Sequence, residues 1–418
     1  MFGLVAAREC AQGGMMHRLL APVEPTWLDA VRAVAAQHKF ASFDAPARLG
    51  ASVLRLSSVY NDPAGAGLRS QDAALLEARL SFWLVRDLPK VTTAARELMD
   101  AGLLRLSTKP LRVLDLGAGL GASTFGLTRA LCLAGEKGTV DALLVDDDRR
   151  ALALATEVAR EIGKTLDVQL HLRTLQQHAP SYVGRERFDV ILLGQVVSEL
   201  DSDVDPIPRV QKHAAWIARL MQTSLADDGC LIIVEPALRD RTRHLHGVRD
   251  ALMADKGITL FAPCLHREAC PMLEGRHDWC HEDLFVDLPE SLIAVARAAG
   301  LRFEGLTYAY LVLRRDGLTL RSRLPTHASL ARIVSTPLVT KGKREWFLCG
   351  DAMSGGSLVS GKIKAMRLDR ERAPHNIAWD EASRGDVLGL SPPLEHDRPR
   401  LSKEGSVAIV HASFDTES

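Results

Sequence analysis

The sequence predicts an α/β protein with a doubly wound, largely parallel sheet that follows an N-terminal helical module. Two observations lead to this fold class. Between residues 107 and 236, short apolar runs alternate with stretches of helical length, which is typical of a parallel sheet covered by helices on both faces. A glycine-rich loop, D-L-G-A-G-L-G over Asp115–Gly121, directly follows the first apolar run and opens a helical stretch. Right-handed crossovers would make such a sheet doubly wound.

The predicted elements are assigned in chain order. Residues 1–106 form the helical module, where apolar residues recur every three or four positions and Pro89 interrupts the pattern. Residues 107–236 form the core, with strands predicted at Leu111–Leu116, Val140–Val145, Val168–Leu172, Phe188–Leu193 and Cys230–Val234. The helices between these strands are predicted at Ser123–Ala134, Arg149–Ile162 and Ala214–Leu225.

The regular alternation stops after Pro236. Residues 237–305 are predicted to form a cysteine-rich insertion, and residues 306–375 the closing strands of the sheet, beginning at Leu306–Leu313. Arg332–Ser335 and Glu345–Cys349 flank a turn-forming K-G-K sequence, which predicts an antiparallel hairpin. Residues 376–418 are rich in Pro, Asp and Arg, and this composition predicts a disordered tail.

Overall charge gives no indication of a partner, because 52 basic side chains balance 52 acidic ones. Between Arg302 and Arg372, however, there are 14 Lys and Arg against six Asp and Glu. Such a segment can bind a polyanion or be a solvated face. No apolar run is long enough to predict a membrane-spanning helix, and Arg8 and Glu9 interrupt the only candidate leader. The number of cysteines is odd and three of the seven are clustered, which favours metal binding over disulfides in a reducing compartment, so a cytoplasmic location is expected.

The glycine-rich loop predicts a small-molecule site, because glycines let the backbone approach a ligand and the N–H groups of the following helix face it. The pattern G-x-G-x-x-A also fits a dinucleotide such as NAD. Three features favour S-adenosylmethionine: Asp115 is placed to hold an ammonium group, Asp146 to hold ribose hydroxyls, and G-Q-V-V-S-E-L follows the fourth strand. The predicted cofactor-binding residues are Asp115, Gly117, Gly119, Gly121, Asp146 and Gly194.

The cysteines predict a metal site. Three of them lie in P-C-L-H-R-E-A-C-P-M-L-E-G-R-H-D-W-C-H, and a fourth follows the apolar run W-F-L. The predicted ligands are Cys264, Cys270, Cys280 and Cys349. Four thiolates suit zinc or an iron–sulfur cluster, and nearby histidines are available as substitutes. Such a site would fasten the insertion to the last strand. The alternative interpretation is a set of buried cysteines in the core.

Together these elements resemble the family of methyltransferase-like proteins associated with the mitochondrial small ribosomal subunit, and their bacterial relatives. The resemblance spans about residues 76–366 and is carried by R-D-L-P in the helix before the core, the loop D-L-G-A-G-L-G, S-E-L, V-E-P, and A-P-C with C-P, D-W-C-H and L-C-G. It implies a class I methyltransferase fold, an S-adenosylmethionine site, a four-cysteine [4Fe–4S] cluster at the positions above, and a role with the small ribosomal subunit. The R-D-L-P spacing and the C-terminal tail depart from the family pattern.

The sequence leaves the activity open. The segment G-Q-V-V lacks the motif with which enzymes that methylate the amino nitrogen of a base hold it, and the grouped cysteines are better explained as ligands than as nucleophiles. Gln195 and Glu199 are the only polar candidates for a catalytic role. Two hypotheses remain: a methyltransferase acting on small-subunit ribosomal RNA, and a non-catalytic assembly or translation factor. Ribosomal RNA is the expected partner under both, and no membrane or DNA partner is expected.

Overall fold

The computed structural model of this chain describes residues 22–61, 72–284, 288–303, 305–327, 329–350, 361–395 and 399–412. They divide into two compact units, one spanning Leu20–Arg323 and the other beginning at Leu324. Each unit has its own sheet and its own apolar core. The glycine-rich loop and the three clustered cysteines belong to the first unit, whereas Cys349 belongs to the second. Within the described ranges, no helix is long and apolar enough to cross a membrane.

The strands of the first unit confirm the predicted fold class. They are β1 (Leu111–Leu116), β2 (Gly138–Asp146), β3 (Val168–Gln176), β4 (Phe188–Gly194), β5 (Leu225–Pro236), β6 (Thr259–Ala262), β7 (Glu282–Leu284) and β8 (Leu306–Arg314). Their order is β3-β2-β1-β4-β5-β8-β6, with β7 also paired to β8. The first five are parallel, and β8 is antiparallel to β5 and β6. An antiparallel strand between β5 and β6 distinguishes this class I methyltransferase arrangement from the 3-2-1-4-5-6 order of dinucleotide-binding sheets.

Helices cover both faces of this sheet. Those of the N-terminal module are α1 (Pro25–Gln37), α2 (Pro46–Asn61), α3 (Ala73–Ala78) and α4 (Val85–Asp100). Those that follow are α5 (Ala122–Leu133), α6 (Arg149–Ile162), α7 (Pro206–Ser224), α8 (Arg239–Leu252), α9 (Glu290–Ala298) and the short α10 (Leu320–Arg323). One apolar cluster joins the N-terminal module to α6 and α9, and another lies between the strands and α7 and α8. Helix α7 begins earlier than predicted because Pro206 suits a first helical turn, where its missing N–H costs nothing.

The sequence predicted an interruption of the helical pattern at Pro89, but in the structure the helix continues through this residue. A π-helical turn over Arg79–Leu84 links α3 to α4, and α4 continues through Pro89 to Asp100. Proline normally clashes with the carbonyl of residue i−4 in a helix, here Val85, which is the first residue of α4 after the π-helical turn. π-Helical turns are frequent at functional sites. The helix stays continuous from Val85 to Asp100.

The segment predicted as a cysteine-rich insertion supplies regular elements to the first unit. Residues 237–305 contain α8, β6, β7 and α9, and both strands pair with β8. Only Pro263–His281, which carries the three cysteines, lacks long helices or strands. We call this stretch the cysteine segment.

The second unit corrects the prediction for the end of the chain. Its elements are β9 (Ser329–Ile333), β10 (Leu338–Thr340), β11 (Lys343–Gly350), β12 (Gly361–Leu368), α11 (Ala378–Glu381), β13 (Val387–Ser391), β14 (Arg400–Leu401) and β15 (Ser406–His411). They form a separate sheet in the order β14-β12-β11-β9-β13-β15, with β10 paired to β11. The described strands after β8 therefore do not close the first sheet, and the described residues of the predicted tail, 376–395 and 399–412, are folded rather than disordered. Its scattered apolar residues, such as Trp379 and Leu390, are buried in the core of this unit.

The predicted hairpin exists with a different partner strand. The turn at Lys341 and Gly342 joins β11 to β10, with Leu338 opposite Glu345. The segment predicted as the first arm lies in and just after β9, which pairs with the far end of β11.

Candidate functional site

The glycine-rich loop after β1 has its three glycines in left-handed backbone conformations, with φ of +67°, +51° and +82° at Gly117, Gly119 and Gly121. Left-handed conformations cost little for glycine and more for other residues. A Cβ on Gly117 would lie 2.4 Å from Val196 Cγ2, whereas one on Gly119 would lie 3.1 Å from Arg79 Nη2. Gly117 thus permits close packing of the loop against the segment after β4, and Gly119 lies under an arginine of the N-terminal module.

Asp115 lies behind the loop. Its Oδ2 accepts hydrogen bonds from the backbone N–H (3.2 Å) and the hydroxyl (2.8 Å) of Thr124, in the first turn of α5. Burial raises the pKa of Asp115 to about 7. The carboxyl group is fully buried and does not line the cavity described below. Its predicted contact with an ammonium group stays a prediction.

Asp146 connects the end of β2 to the loop. Its Oδ2 accepts from the Gly119 N–H at 2.7 Å, and its Oδ1 accepts from the Asp148 N–H at 2.8 Å. Burial raises the pKa of Asp146 above its ordinary value. The Asp148 carboxylate in turn binds the Arg79 guanidinium at 2.5 Å and caps α6. This chain of contacts holds the loop, the end of β2 and the N-terminal module together.

A cavity of about 720 Å³ opens at the carboxyl edge of the parallel strands. The predicted residues that line it are Gly117, Gly119, Asp146, Gly194, Gln195 and Glu199. Gly121 and Asp115 are not on its wall. Because β1, β2 and β4 are parallel neighbours, their carboxyl ends meet at one edge, which is why the predicted residues converge.

Sequence reasoning missed the contribution of the N-terminal module to this cavity. The residues of this module on the wall include Arg79, Trp83, Arg86, Asp87 and Lys90. Asp87 and Lys90 form a salt bridge at 2.7 Å with side chains only 9% and 6% exposed. An acidic and a basic residue three positions apart in the helix were the available signal, because buried charges are normally paired. The Arg86 guanidinium stacks on the Trp83 ring with 5.2 Å between charge and ring centre.

Gln195, directly after β4, contacts the Asp87–Lys90 salt bridge. Its Nε2 donates to Asp87 Oδ2 at 2.6 Å, and its backbone has φ +59°. The backbone N–H of Gln195 donates to Val234 O at 2.7 Å, which ties it to the end of β5. The structure thus brings together one residue that the sequence nominated and two that it did not.

The segment after Gln195 is held from beneath by buried polar groups. Glu235 Oε1 accepts from the Val197 N–H at 2.8 Å, and burial raises the pKa of Glu235 to about 7. The Arg209 guanidinium donates to Ser198 O (2.7 Å) and Leu200 O (2.8 Å). Gly194 must lack a side chain, since a Cβ would lie 2.0 Å from Ser123 Oγ. The carboxyl group of Glu235, from the V-E-P motif, and the guanidinium of Arg209 therefore hold the cavity wall that carries the S-E-L motif.

Two backbone N–H groups of the kind that bind the pyrophosphate of a dinucleotide are already bonded to aspartates. A pyrophosphate binds the free N–H groups of a glycine loop and of a helix N-terminus. Here the Gly119 N–H is taken by Asp146 and the Thr124 N–H by Asp115. This edge of the cavity favours a cationic ligand over an anionic one.

The cysteine segment is seated on one face of α8. Arg243 donates to three backbone carbonyls of the segment, Met272 O (2.8 Å), Leu273 O (3.1 Å) and Asp278 O (2.7 Å). Further along the helix, His246 Nε2 contacts Cys280 O at 3.0 Å, Arg249 donates to His266 O at 2.8 Å, and Asp250 accepts from the Cys270 N–H at 3.0 Å. Burial lowers the pKa of His246 to about 4, so a neutral imidazole makes this contact. Protein side chains alone therefore order much of the segment.

The four predicted metal ligands lie in different environments. Cys270 is buried, and Cys264, Cys280 and Cys349 are half-buried; no disulfide joins any of them. Burial, followed by the neighbouring Cys264, raises the pKa of the Cys270 thiol to about 12. Within the residues that the structure describes, no three or more His, Cys, Asp or Glu side chains form a group that could hold a metal ion. The metal site stays a prediction.

Part of the basic segment expected to meet RNA lies in the second unit, including Lys343, Arg344, Lys362 and Lys364. Lys343 and Lys364 both contact Glu345, at 3.0 and 3.2 Å, and Lys362 lies over the Phe347 ring at 5.0 Å. Arg344 is paired with Asp380 at 3.3 Å. The positive charge of this strand pair is thus partly balanced by neighbouring carboxylates.

Comparison with known proteins gives one family. The family model described as mitochondrial small ribosomal subunit Rsm22 matches residues 94–375. That range covers the loop, Gln195 and all four cysteines of the predicted metal site. No curated protein matches the chain.

Several solved structures resemble this chain weakly. The plantazolicin methyltransferase BpumL, in complex with a desmethylPZN analog and SAH, is 12% identical, with 65% of this chain and 98% of that chain covered and a TM-score of 0.33. NSun6 from Pyrococcus horikoshii, with SFG, is 15% identical over 55% of this chain and 52% of that chain, with a TM-score of 0.35. YjhP from E. coli is 16% identical over 55% and 99%, with a TM-score of 0.32. Likenesses of this size bear on neither ligand nor activity.

Proposed function

This chain belongs to the family described as mitochondrial small ribosomal subunit Rsm22, and from that premise we propose that it is a methyltransferase-like protein that binds S-adenosylmethionine and works on the small ribosomal subunit. The observation that carries the proposal is the cavity at the carboxyl edge of β1, β2 and β4, with the glycine-rich loop on its wall. Its volume of about 720 Å³ falls within the range of roughly 300–1,000 Å³ typical of ligand sites.

The residues of the cavity suit the parts of this ligand. Asp146 ends β2, where a carboxylate can accept the two ribose hydroxyls, and the loop at Gly117 and Gly119 lets the backbone come close to the methionine portion. S-adenosylmethionine carries a sulfonium and an ammonium, so the carboxylates around the loop favour it electrostatically. The same carboxylates disfavour the pyrophosphate of NAD. S-adenosylmethionine would supply an activated methyl group, and the protein would contribute position and orientation.

The metal proposal concerns Cys264, Cys270, Cys280 and Cys349. We propose that these four thiols bind a [4Fe–4S] cluster, with zinc as the alternative. The donor set supports it, because four thiolates suit both metals, and the family match spans all four positions. The contacts from α8 would hold three of the thiols on an ordered segment.

Metal content tests this part of the proposal directly. Protein purified without oxygen should contain about four iron and four sulfide per chain and absorb broadly near ~400 nm. Cys280→Ser should lower the iron content while a substitution of Cys132, which lies outside the cysteine segment, leaves it unchanged. Stoichiometric zinc without iron would favour the zinc alternative. Protein that contains neither iron nor zinc would refute the metal site.

Ribosomal RNA is the proposed contact surface of the small subunit. The excess of Lys and Arg between Arg302 and Arg372 supports it, because neutralising phosphates releases counterions and drives association. Such contacts position a protein on RNA without reading its sequence.

The experiment that tests the function compares small-subunit RNA from cells with and without this gene. Loss of one methylated nucleoside in the deletion strain, restored by the wild-type gene, supports an RNA methyltransferase. Unchanged methylation together with defective subunit assembly supports the non-catalytic factor. If neither methylation nor assembly changes, the ribosomal role is wrong.

A further inference from the structure

The salt bridge between Asp87 and Lys90 fixes which way the Gln195 amide points. A carboxylate can only accept hydrogen bonds, so the group that meets Asp87 Oδ2 at 2.6 Å must be the amide NH₂. The other carboxylate oxygen is held by Lys90 Nζ at 2.7 Å. The Gln195 Oε1 is therefore left as the acceptor that this side chain can offer to a ligand in the cavity.

The backbone of Gln195 is held in a conformation that a glutamine avoids. Its φ of +59° lies in the left-handed region, which is unfavourable for a residue with a Cβ. The hydrogen bond to Val234 O and the close packing of Val196 on Gly117 maintain this conformation. Strain of this kind is concentrated at binding and catalytic sites.

An amide oxygen at this point selects a particular kind of nucleophile. It accepts an N–H and so orients an amino group, but it is too weak a base to deprotonate a hydroxyl. An amino nitrogen reacts through its own lone pair and needs no prior deprotonation. A carbon nucleophile would instead need a covalent catalyst, and no cysteine is among the described residues that line this cavity.

The surrounding wall favours a nucleobase over the side chain of a protein. Trp83 lines the same cavity as Gln195, and unstacked bases bind aromatic side chains. Arg86 and Arg241 also line the cavity. Their guanidinium groups can attract the phosphates that flank a base.

We infer that Gln195 holds the exocyclic amino group of an unstacked RNA base as the methyl acceptor, with Asp87 and Lys90 as positioning residues. This rests on the proposed function, since it requires S-adenosylmethionine in the same cavity. In the reaction, the base nitrogen forms a bond to the methyl carbon while the S–C bond of the sulfonium breaks. The electron pair of that bond stays on sulfur, giving a neutral thioether, and the nitrogen releases one proton to water.

The test uses full-length protein, radiolabelled S-adenosylmethionine and small subunits purified from a strain lacking this gene. We expect label in an N-methylated nucleoside. Gln195→Ala should lower kcat by at least tenfold, because misplacing reacting atoms by about 1 Å costs on the order of 10²-fold. Its affinity for S-adenosylmethionine, measured by calorimetry, should stay within about threefold of wild type. Gln177→Ala, which removes a half-buried glutamine outside the cavity wall, is the matched control and should leave kcat unchanged.

Asp87→Asn tests the positioning role separately. The amide introduced at position 87 can both donate and accept a hydrogen bond, so it no longer fixes the orientation of the Gln195 amide. The kcat should therefore fall, while the KM for the subunits and the affinity for S-adenosylmethionine should stay unchanged. Label on carbon, on a ribose oxygen or on a ribosomal protein would overturn the inference. So would no transfer by protein that binds S-adenosylmethionine, or equal rates for wild type and Gln195→Ala. Absence of S-adenosylmethionine binding would instead sink the proposed function itself, and the inference with it.

Discussion

The glycines of the loop after β1 have separable roles, which makes Gly119 the informative position. Gly119→Ala places a side chain in the left-handed region and 3.1 Å from the Arg79 guanidinium, in the cavity wall. We expect it to weaken S-adenosylmethionine binding at least tenfold. Gly135→Ala carries a similar strain, at φ +69°, with nothing within 4 Å of the new Cβ. Both variants should lose roughly 1–2 kcal/mol of unfolding free energy, but only the first should lose affinity in calorimetry. Equal affinities would contradict the placement of the ligand at this loop.

Glu235 gives a prediction about pH at the same scale. Burial raises its pKa from the usual 4.5 to about 7, so the folded protein holds this proton more tightly than the unfolded chain. The free energy of unfolding therefore falls as pH rises from about 4.5 to about 7. Glu235→Gln keeps an acceptor for the Val197 N–H and has no proton to lose.

Relative to wild type, Glu235→Gln should be equally stable below pH 4.5 and more stable above pH 7, by up to about 3 kcal/mol. Denaturant titrations of both proteins at several pH values measure the difference. A difference that does not change with pH would show that the pKa of Glu235 is the same in the folded protein as in the unfolded chain.

Single residues were predictable where a motif fixes its own backbone and not where the partner is distant in sequence. The D-L-G-A-G-L-G loop dictates its own turn, so Gly117, Gly119 and Asp146 reached the cavity as expected. Asp115 was predicted to contact the ligand because its position relative to the glycines is right. Its orientation toward Thr124 depends on the packing of α5 and cannot be read from spacing. Asp87 and Lys90 were missed because a contact to Gln195 more than a hundred residues away leaves no local pattern.

At the scale of elements, α8 is the support of the cysteine segment. The sequence suggested that a long irregular segment would need a metal to become ordered, whereas the structure shows Arg243, His246 and Arg249 bound to its backbone carbonyls. These contacts could not be predicted from the sequence. Basic residues at three-residue intervals on a helix, such as Arg243, His246 and Arg249, look like a solvated face until the segment opposite them is known.

Arg243→Ala should therefore loosen the cysteine segment without unfolding the protein. It leaves three carbonyls without their donor, and each lost hydrogen bond to a charged group is worth about 1.5–3 kcal/mol. We expect faster hydrogen exchange confined to about residues 264–282. Arg239→Ala, on the same helix but exposed, is the control and should leave exchange unchanged. Unchanged exchange in Arg243→Ala would mean that another interaction orders the segment.

At the scale of the whole molecule, the alternation of strands and helices was enough to predict the parallel part of the first sheet. The position of β8 between β5 and β6 was not, because antiparallel insertion depends on pairing between residues some eighty positions apart, such as Leu231 and Leu313. The second sheet was missed for a related reason. Its strands β13 and β15 come from a stretch whose average composition is polar, although Leu388 and Leu390 alternate toward one core.

Association with the small subunit is a property of the whole chain, and it should depend on salt. Replacing Lys341, Lys343 and Lys364 by alanine should weaken sedimentation with small subunits at low salt and reduce the slope of affinity against salt. Exposed lysines of the first unit, Lys109, Lys137 and Lys256, provide a charge-matched control triple. If both triples behave alike, net charge rather than this surface drives association. If wild type does not co-sediment even at low salt, the ribosomal partner is wrong.

The central claim is that the cavity at the carboxyl edge of the first sheet binds S-adenosylmethionine. Isothermal titration calorimetry of the wild-type chain with S-adenosylmethionine and, separately, with NAD tests it most directly. We expect one site per chain for S-adenosylmethionine and no measurable heat for NAD, because Asp115 and Asp146 occupy the N–H groups that a pyrophosphate would need. Binding of NAD without binding of S-adenosylmethionine would contradict the account, and so would S-adenosylmethionine binding that survives Gly119→Ala unchanged.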